Sequence, residues 1–339
     1  MQKIITVNDT ADLPTWQKEL ANAVKNPLQL LEILEIAPQK AALSQFAKKQ
    51  FPMLVPMPFV NKMQKGNLND PLLKQVLPIT DEEIQVTGYT TDPLSEQNTQ
   101  QKGLLHKYKS RVLLILKSGC AVNCRYCFRR HFPYADNYIN KSQFPAIINY
   151  LQQHPDVNEV ILSGGDPLMA KDAHLFELIS LLETLPQLTR LRFHTRLPVV
   201  IPSRITPALV TRLQESRLQV VLVMHINHAQ EIDADFAHAM ALCHQAGIQL
   251  LNQGVLLKGV NDNAAALIAL SEALFSVHIL PYYLFLLDKV QGAAHFDITE
   301  QQAQQLHQQI QAALPGYLVP RLSREIAGKE SKTLIHSAG

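Results

Sequence analysis

Three of the chain's four cysteines, Cys120, Cys124 and Cys127, fall within the stretch GCAVNCRYCFRRH at residues 119–131. Thiols clustered this closely point to metal or redox chemistry rather than to a disulfide framework. Their spacing is C-x3-C-x2-C. A structural zinc site takes four protein ligands, so the fourth would come from His131, from the distant Cys243, or from outside the chain. An iron–sulfur cube ordinarily takes four cysteines as well. Held by three, it leaves one iron open to a substrate or cofactor. Arg129, Arg130 and His131 follow directly and on their own suggest a nucleic-acid patch. The formal net charge is only +2, however, and no wider basic field supports such a partner. Cys243 lies in the apolar helical pattern EIDADFAHAMALCHQAG and reads as a small buried hydrophobe.

The elements that position the cluster are legible as a rhythm. From residue 110 onward, short Val/Ile/Leu-rich runs recur: RVLLIL at 111, VNEVILSGG at 157, RLRFHTR at 190, LQVVLVMHI at 218, IQLLNQGVLL at 248 and VHILPYYLFLL at 277. Helical patterns such as KDAHLFELISLLETL fill the intervals, and after the first interval the strands return about every thirty residues, the period of βα units. Six strands in an α/β chain fit a partial barrel or an open doubly wound sheet, and both gather ligands beyond the carboxyl ends of their strands. The cysteine motif follows the first of these strands. The segment ILSGGDP at 161–167 ends the second with two glycines, which let backbone approach a ligand closely. Residues 1–100 read instead as a mainly helical region with a proline-stiffened link, serving as a packing layer or lid. With 339 residues, 47% of them hydrophobic, the chain can bury a large core. It has no run of 18 apolar residues and its N-terminus has no apolar signal core, so the expectation is a cytoplasmic protein.

The cysteine spacing, with Tyr126 directly before the last thiol, resembles the signature of the radical S-adenosylmethionine superfamily. That resemblance implies a 4Fe-4S cluster on Cys120, Cys124 and Cys127 whose open iron binds S-adenosylmethionine, and a partial (β/α)6 barrel over residues 101–320. It also places Ser163, Gly164, Gly165 and Asp166 at the methionyl amino group. Further segments, LLHKYKSRVLLILKSGCAVNCRYCFRRHFPY, SGGDPLM, RLRFHTRLPVVIPSRIT, HINHAQEI, LNQGVLLKGVNDN and PYYLFLLDKVQGAAHF, resemble the lysine 2,3-aminomutases across roughly residues 95–335. The chain looks most like the short bacterial branch whose (R)-β-lysine is attached to translation elongation factor P by a ligase related to lysyl-tRNA synthetase. The metabolic enzymes carry a longer C-terminal tail used in subunit assembly, which sets the expectation for the elongation-factor branch.

The resemblance implies L-lysine as substrate, an external electron donor, and pyridoxal 5′-phosphate as a second cofactor. A deoxyadenosyl radical removes hydrogen from Cβ, and the pyridoxal group supplies the unsaturated carbon–nitrogen link across which nitrogen migrates. By the family's pattern, Lys332 in the tail at 321–339 carries the pyridoxal group, with Lys329 as the local competitor. The family's run of glycines survives only as Gly328 in EIAGKESKT. Arg111 matches the arginine near the phosphate, Tyr108 flanks the ring, and His225 and Gln253 stand around S-adenosylmethionine. Arg129 matches the arginine that grips the substrate carboxylate, as its planar fork suits. Two acids pair with the substrate's ε-ammonium: Asp288 is one, and Glu325 stands where the family has an aspartate. No nucleic-acid or membrane partner is expected, and the subunit count stays open. Two other readings remain at this point: a metabolic lysine 2,3-aminomutase, and a zinc-stabilised binding module without catalysis.

Overall fold

The parallel sheet that the apolar rhythm predicts is present, extended at both edges. The computed structural model describes residues 13–96, 102–133 and 137–336. Its nine strands lie in sequence order: β1 (Leu104–Tyr108), β2 (Arg111–Lys117), β3 (Glu159–Gly164), β4 (Arg190–Thr195), β5 (Gln219–Met224), β6 (Gln249–Val255), β7 (Leu280–Phe285), β8 (Arg321–Arg324) and β9 (Thr333–Leu334). Strands β2 to β8 are parallel, while β1 and β9 pair antiparallel with β2 and β8. Helices Phe144–Gln152, Asp172–Glu183, Pro207–Gln214, Ala234–Gln245, Ala264–Ser276 and Glu300–Ala313 follow β2 to β7 in turn. This is a partial barrel of six βα units, closed by one more parallel strand and trimmed with two short antiparallel ones. The sequence rhythm gives six of the seven parallel strands and misses β1, β8 and β9: β1 and β8 are short and carry charged residues, and β9 is only two residues long.

Local chemistry sets the element ends. Asp233, Asn263 and Thr299 each accept the backbone N–H three positions on, capping the helices that follow β5, β6 and β7. Thr206 does the same ahead of Pro207, whose fixed φ suits a first helical turn. Along β4 burial alternates strictly: Leu191, Phe193 and Thr195 are buried, while Arg192 and His194 line the barrel interior.

Residues 13–96 form short helices, among them Thr15–Ala21, Pro27–Ile33 and Gln45–Gln50, and pack onto the barrel through one continuous core. Trp16, Leu30, Phe59 and Leu72 share that core with Val160, Phe193 and Met224. Lys62 reaches across to donate to the carbonyls of Val199 and Glu231 at 2.9 and 2.8 Å and pairs with Asp233 at 3.2 Å. No helix among the described residues is long and apolar enough to cross a membrane.

Candidate active site

A cavity of about 670 Å³ runs through the barrel interior. Cys120, Cys124 and Cys127 line it on the loop beyond the carboxyl end of β2, and Arg111 lines it at the amino end of the same strand. The seven residues of β2 correspond to about 20 Å of extended chain. Every site residue singled out in the sequence lines this one cavity: Tyr108 and Arg111, Ser163 to Asp166, Arg129, His225 and Gln253, Asp288, Glu325 and Lys332. Cys243 does not. It is fully buried in the helix after β5, and burial pushes its thiol up to about 12.

The cysteine loop is held from outside the barrel. Arg125 is fully buried and makes a two-pronged contact with Glu82 at 2.8 and 2.5 Å. Arg130 donates to the same carboxylate at 2.7 Å and to the carbonyls of Arg125 and Gly292 at 3.0 and 2.9 Å. His131 Nε2 donates to the carbonyl of Gln291 at 3.1 Å. Arg130 and His131, which had no role from sequence, thus fasten the loop to residues 291–292. Arg196, just past β4, donates to Cys124 Sγ at 2.8 Å, to the Tyr126 hydroxyl, to Gln75 Oε1 at 2.7 Å and to Glu231 Oε2 at 2.9 Å.

The glycine turn lines the cavity and is also approached closely from within the protein. A Cβ on Gly165 would lie 2.4 Å from the carbonyl oxygen of Gly119, and Gly164 has φ +104°. The close approach is therefore to the cysteine loop itself, with Gly165 N–H donating to Lys117 O at 2.9 Å. The Asp166 carboxylate accepts from Leu168 N, Thr195 Oγ1, Arg196 N and Leu197 N. It is fully engaged in tying this turn to the end of β4.

Acids and bases are paired along the cavity wall. Arg129 Nε donates to Glu96 at 2.7 Å and Nη1 to Ser163 Oγ at 3.3 Å, while Lys107 donates to the other Glu96 oxygen at 2.8 Å. Burial would raise the Glu96 carboxyl, but Arg129 and Lys107 outweigh it and hold it down to about 2. At the acidic side, burial first and Glu325 next push Asp288 up to about 7. Glu325 accepts from Tyr108 Oη at 3.0 Å and from Lys332 Nζ at 2.8 Å, bridging the open edges of the sheet. Arg111 lies 4.0 Å from the Tyr108 ring centroid and has no carboxylate partner among the described residues. Gln253 Nε2 contacts His225 Nε2 at 2.8 Å. Burial keeps both His225 and the neighbouring His194 neutral, His225 down to about 3. Glu82, Glu96, Lys107, His194 and Arg196 are the residues that sequence reasoning missed; their partners are distant in the chain, so no local spacing marks them.

A sequence model of the Radical SAM superfamily matches residues 114–270. Among curated relatives, the L-lysine 2,3-aminomutase of Escherichia coli (strain K12) is 52% identical over 334 residues, covering 98% of this chain and 97% of its own. That of Haemophilus influenzae is 53% identical over 320 residues, covering 94% and 95%. The chain belongs to the radical S-adenosylmethionine lysine 2,3-aminomutase family. The enzyme of Clostridium subterminale, also named L-lysine 2,3-aminomutase, is 31% identical over 325 residues, covering 95% of this chain and 78% of its own.

The family implies cofactors, and the residues fit them. Among the described residues no three or more His, Cys, Asp or Glu side chains are drawn together around a point that would hold one metal ion. A cube makes a different demand, since each thiolate takes its own iron corner. Burial pushes the Cys120 thiol up and the Cys127 thiol up to about 11, a donor set that needs a cationic partner to ionise. Arg111, free of carboxylates, suits a phosphate, and Lys332 reaches the same cavity.

Proposed function

We propose that this enzyme converts L-α-lysine to (R)-β-lysine and that the product supplies the modification of elongation factor P. The observation that carries the reaction is one cavity that holds Arg129, the carboxylates Asp288 and Glu325, and Lys332, with three thiols on its wall. A zwitterionic chain with a carboxylate at one end and an ammonium at the other is the ligand such a cavity selects.

When bound, the cluster with S-adenosylmethionine supplies the hydrogen-abstracting radical, and pyridoxal phosphate supplies the link across which nitrogen moves. The protein's own part is placement and exclusion. Cys120, Cys124 and Cys127 would hold the cluster, with Arg196 donating to Cys124. Arg129, paired with Glu96 through Nε, would hold the substrate carboxylate. Asp288 and Glu325 would take the ε-ammonium. Lys332 would carry the pyridoxal group, Arg111 its phosphate, and Tyr108 its ring. Ser163, the Gly164–Gly165 turn with Asp166, His225 and Gln253 would surround S-adenosylmethionine. A neutral His225 beside Gln253 suits a hydroxyl or carboxylate without adding charge.

The elongation-factor assignment rests on the branch resemblance, with which the single Gly328 in the cofactor loop is compatible. The test is an anaerobic incubation of reconstituted enzyme with both cofactors, reductant and L-lysine, with product enantiomers resolved. The product is then offered, against L-α-lysine, to the lysyl-tRNA-synthetase-like ligase and elongation factor P. An absence of β-lysine sinks the activity. An (S) product, or a ligase that prefers α-lysine, sinks the elongation-factor role alone.

A further inference from the structure

At the acidic end of the cavity, Lys332 lies as a bound alkylammonium ligand would lie. Its Nζ donates to Glu325 Oε2 at 2.8 Å, and sits 4.4 Å from the Phe285 ring centroid and 5.5 Å from that of Tyr283. A carboxylate and aromatic faces are the surfaces that hold a primary ammonium. Asp288 lines the same cavity and has no ion-pair partner among the described residues. Glu325 has little left to offer a second cation. Its Oε1 accepts from Tyr108 at 3.0 Å and faces Lys107 at 3.7 Å, and its Oε2 is taken by Lys332.

We propose that Lys332, in protein without pyridoxal phosphate and without substrate, is the resident occupant of the cage that receives the substrate's ε-ammonium. This rests on the reading of Asp288 and Glu325 as the ε-ammonium subsite. With Oε1 engaged by Tyr108 and Oε2 by Lys332, the protein's own lysine stands where the substrate's ammonium would bind. Drawing Lys332 onto the cofactor empties the cage. Cofactor loading thereby becomes a condition for substrate recognition, and an enzyme without pyridoxal phosphate is not filled by free lysine.

The test uses cluster-reconstituted protein without pyridoxal phosphate, titrated calorimetrically under anaerobic conditions with L-lysine and with L-norleucine, which lacks the ε-amine. Wild type is expected to bind both weakly and alike. Lys332→Met is expected to bind L-lysine about tenfold more tightly than wild type does, the modest gain suited to a partly exposed ion pair, and to prefer it over norleucine. Adding Glu325→Gln to that variant should remove the preference. Iron content confirms that each variant is intact, and Lys332→Ala offers the same comparison if Lys332→Met loses iron. A Lys332 variant that binds L-lysine no more tightly than wild type overturns the proposal. The functional reading is judged separately on the fully loaded wild-type enzyme. If that enzyme makes β-lysine while the variant gains nothing, only the occupancy proposal falls.

Discussion

Replacing Asp288 with Asn is expected to stabilise the cofactor-free protein while disabling the enzyme, and pH separates the two effects. Burial first and Glu325 next push the Asp288 carboxyl from 3.8 up to about 7, against the opposing pull of Lys332 and Arg129. A carboxyl raised in this way binds protons more tightly folded than unfolded. Its contribution is therefore fully present below 3.8 and is lost as pH rises through about 7. At about 1.4 kcal/mol per pH unit, the span from 3.8 to about 7 corresponds to a loss of about 4 kcal/mol. Water entering the cavity screens this, so about 4 kcal/mol is a ceiling and about half of it a reasonable expectation. Asn keeps the shape and never ionises. The difference in unfolding free energy between Asp288→Asn and wild type should accordingly grow in favour of the variant from about pH 5 to about pH 8. Urea unfolding of both proteins without cofactors, at a series of pH values, measures it. The loaded variant should lose about a hundredfold in kcat/KM for L-lysine, as expected when one ionic partner of a charged ligand is removed. A stability difference that stays flat with pH would refute the idea that burial holds this carboxyl protonated.

Other perturbations address the remaining parts of the site. Lys332→Ala should abolish the absorbance of bound pyridoxal phosphate and leave iron and sulfide content unchanged; persistence of that absorbance would move the cofactor to another lysine, Lys329 first. Arg129→Lys keeps the charge but loses the planar fork, so kcat/KM for L-lysine should fall by about ten- to a hundredfold with iron content preserved, measured by steady-state kinetics. Glu82→Gln leaves the buried Arg125 and Arg130 without their shared carboxylate, which should cost about 3–5 kcal/mol and lower the iron retained after desalting.

The sequence exposes whatever depends on periodicity or short spacing. The six parallel strands of β2 to β7 announce themselves because they are apolar runs at a regular interval, and the cysteines because they are adjacent. The short edge strands do not. Strand β1 is read in sequence as part of a motif rather than as a strand, since His106, Lys107 and Tyr108 give no apolar alternation. The cavity wall has the same division. Arg129, Asp288 and Lys332 are reached through resemblance to a family, residue by residue. Glu96 is invisible because nothing in LSEQ predicts that its carboxylate lies 33 residues away in sequence from the arginine it steadies. The Gly164–Gly165 turn was legible as a place of close approach, but not what approaches it; only the fold brings Gly119 there.

The arginines around the thiols explain why the N-terminal region packs where it does. Arg125, Arg129, Arg130 and Arg196 are all buried. Unpaired, each would carry a large desolvation cost. Three of the four draw their acidic partner from residues before the barrel: Arg125 and Arg130 from Glu82, and Arg129 from Glu96. Arg196 takes Glu231 within the barrel but also Gln75 from the N-terminal region. Leu94 and Glu96 line the cavity themselves. The N-terminal region is therefore more than a passive cover. It supplies the counter-charges that let a cluster of arginines stand, dehydrated, beside thiols that need positive charge to ionise. Keeping water away from that wall and keeping its cations paired are one packing problem, and residues 75–96 solve both parts of it.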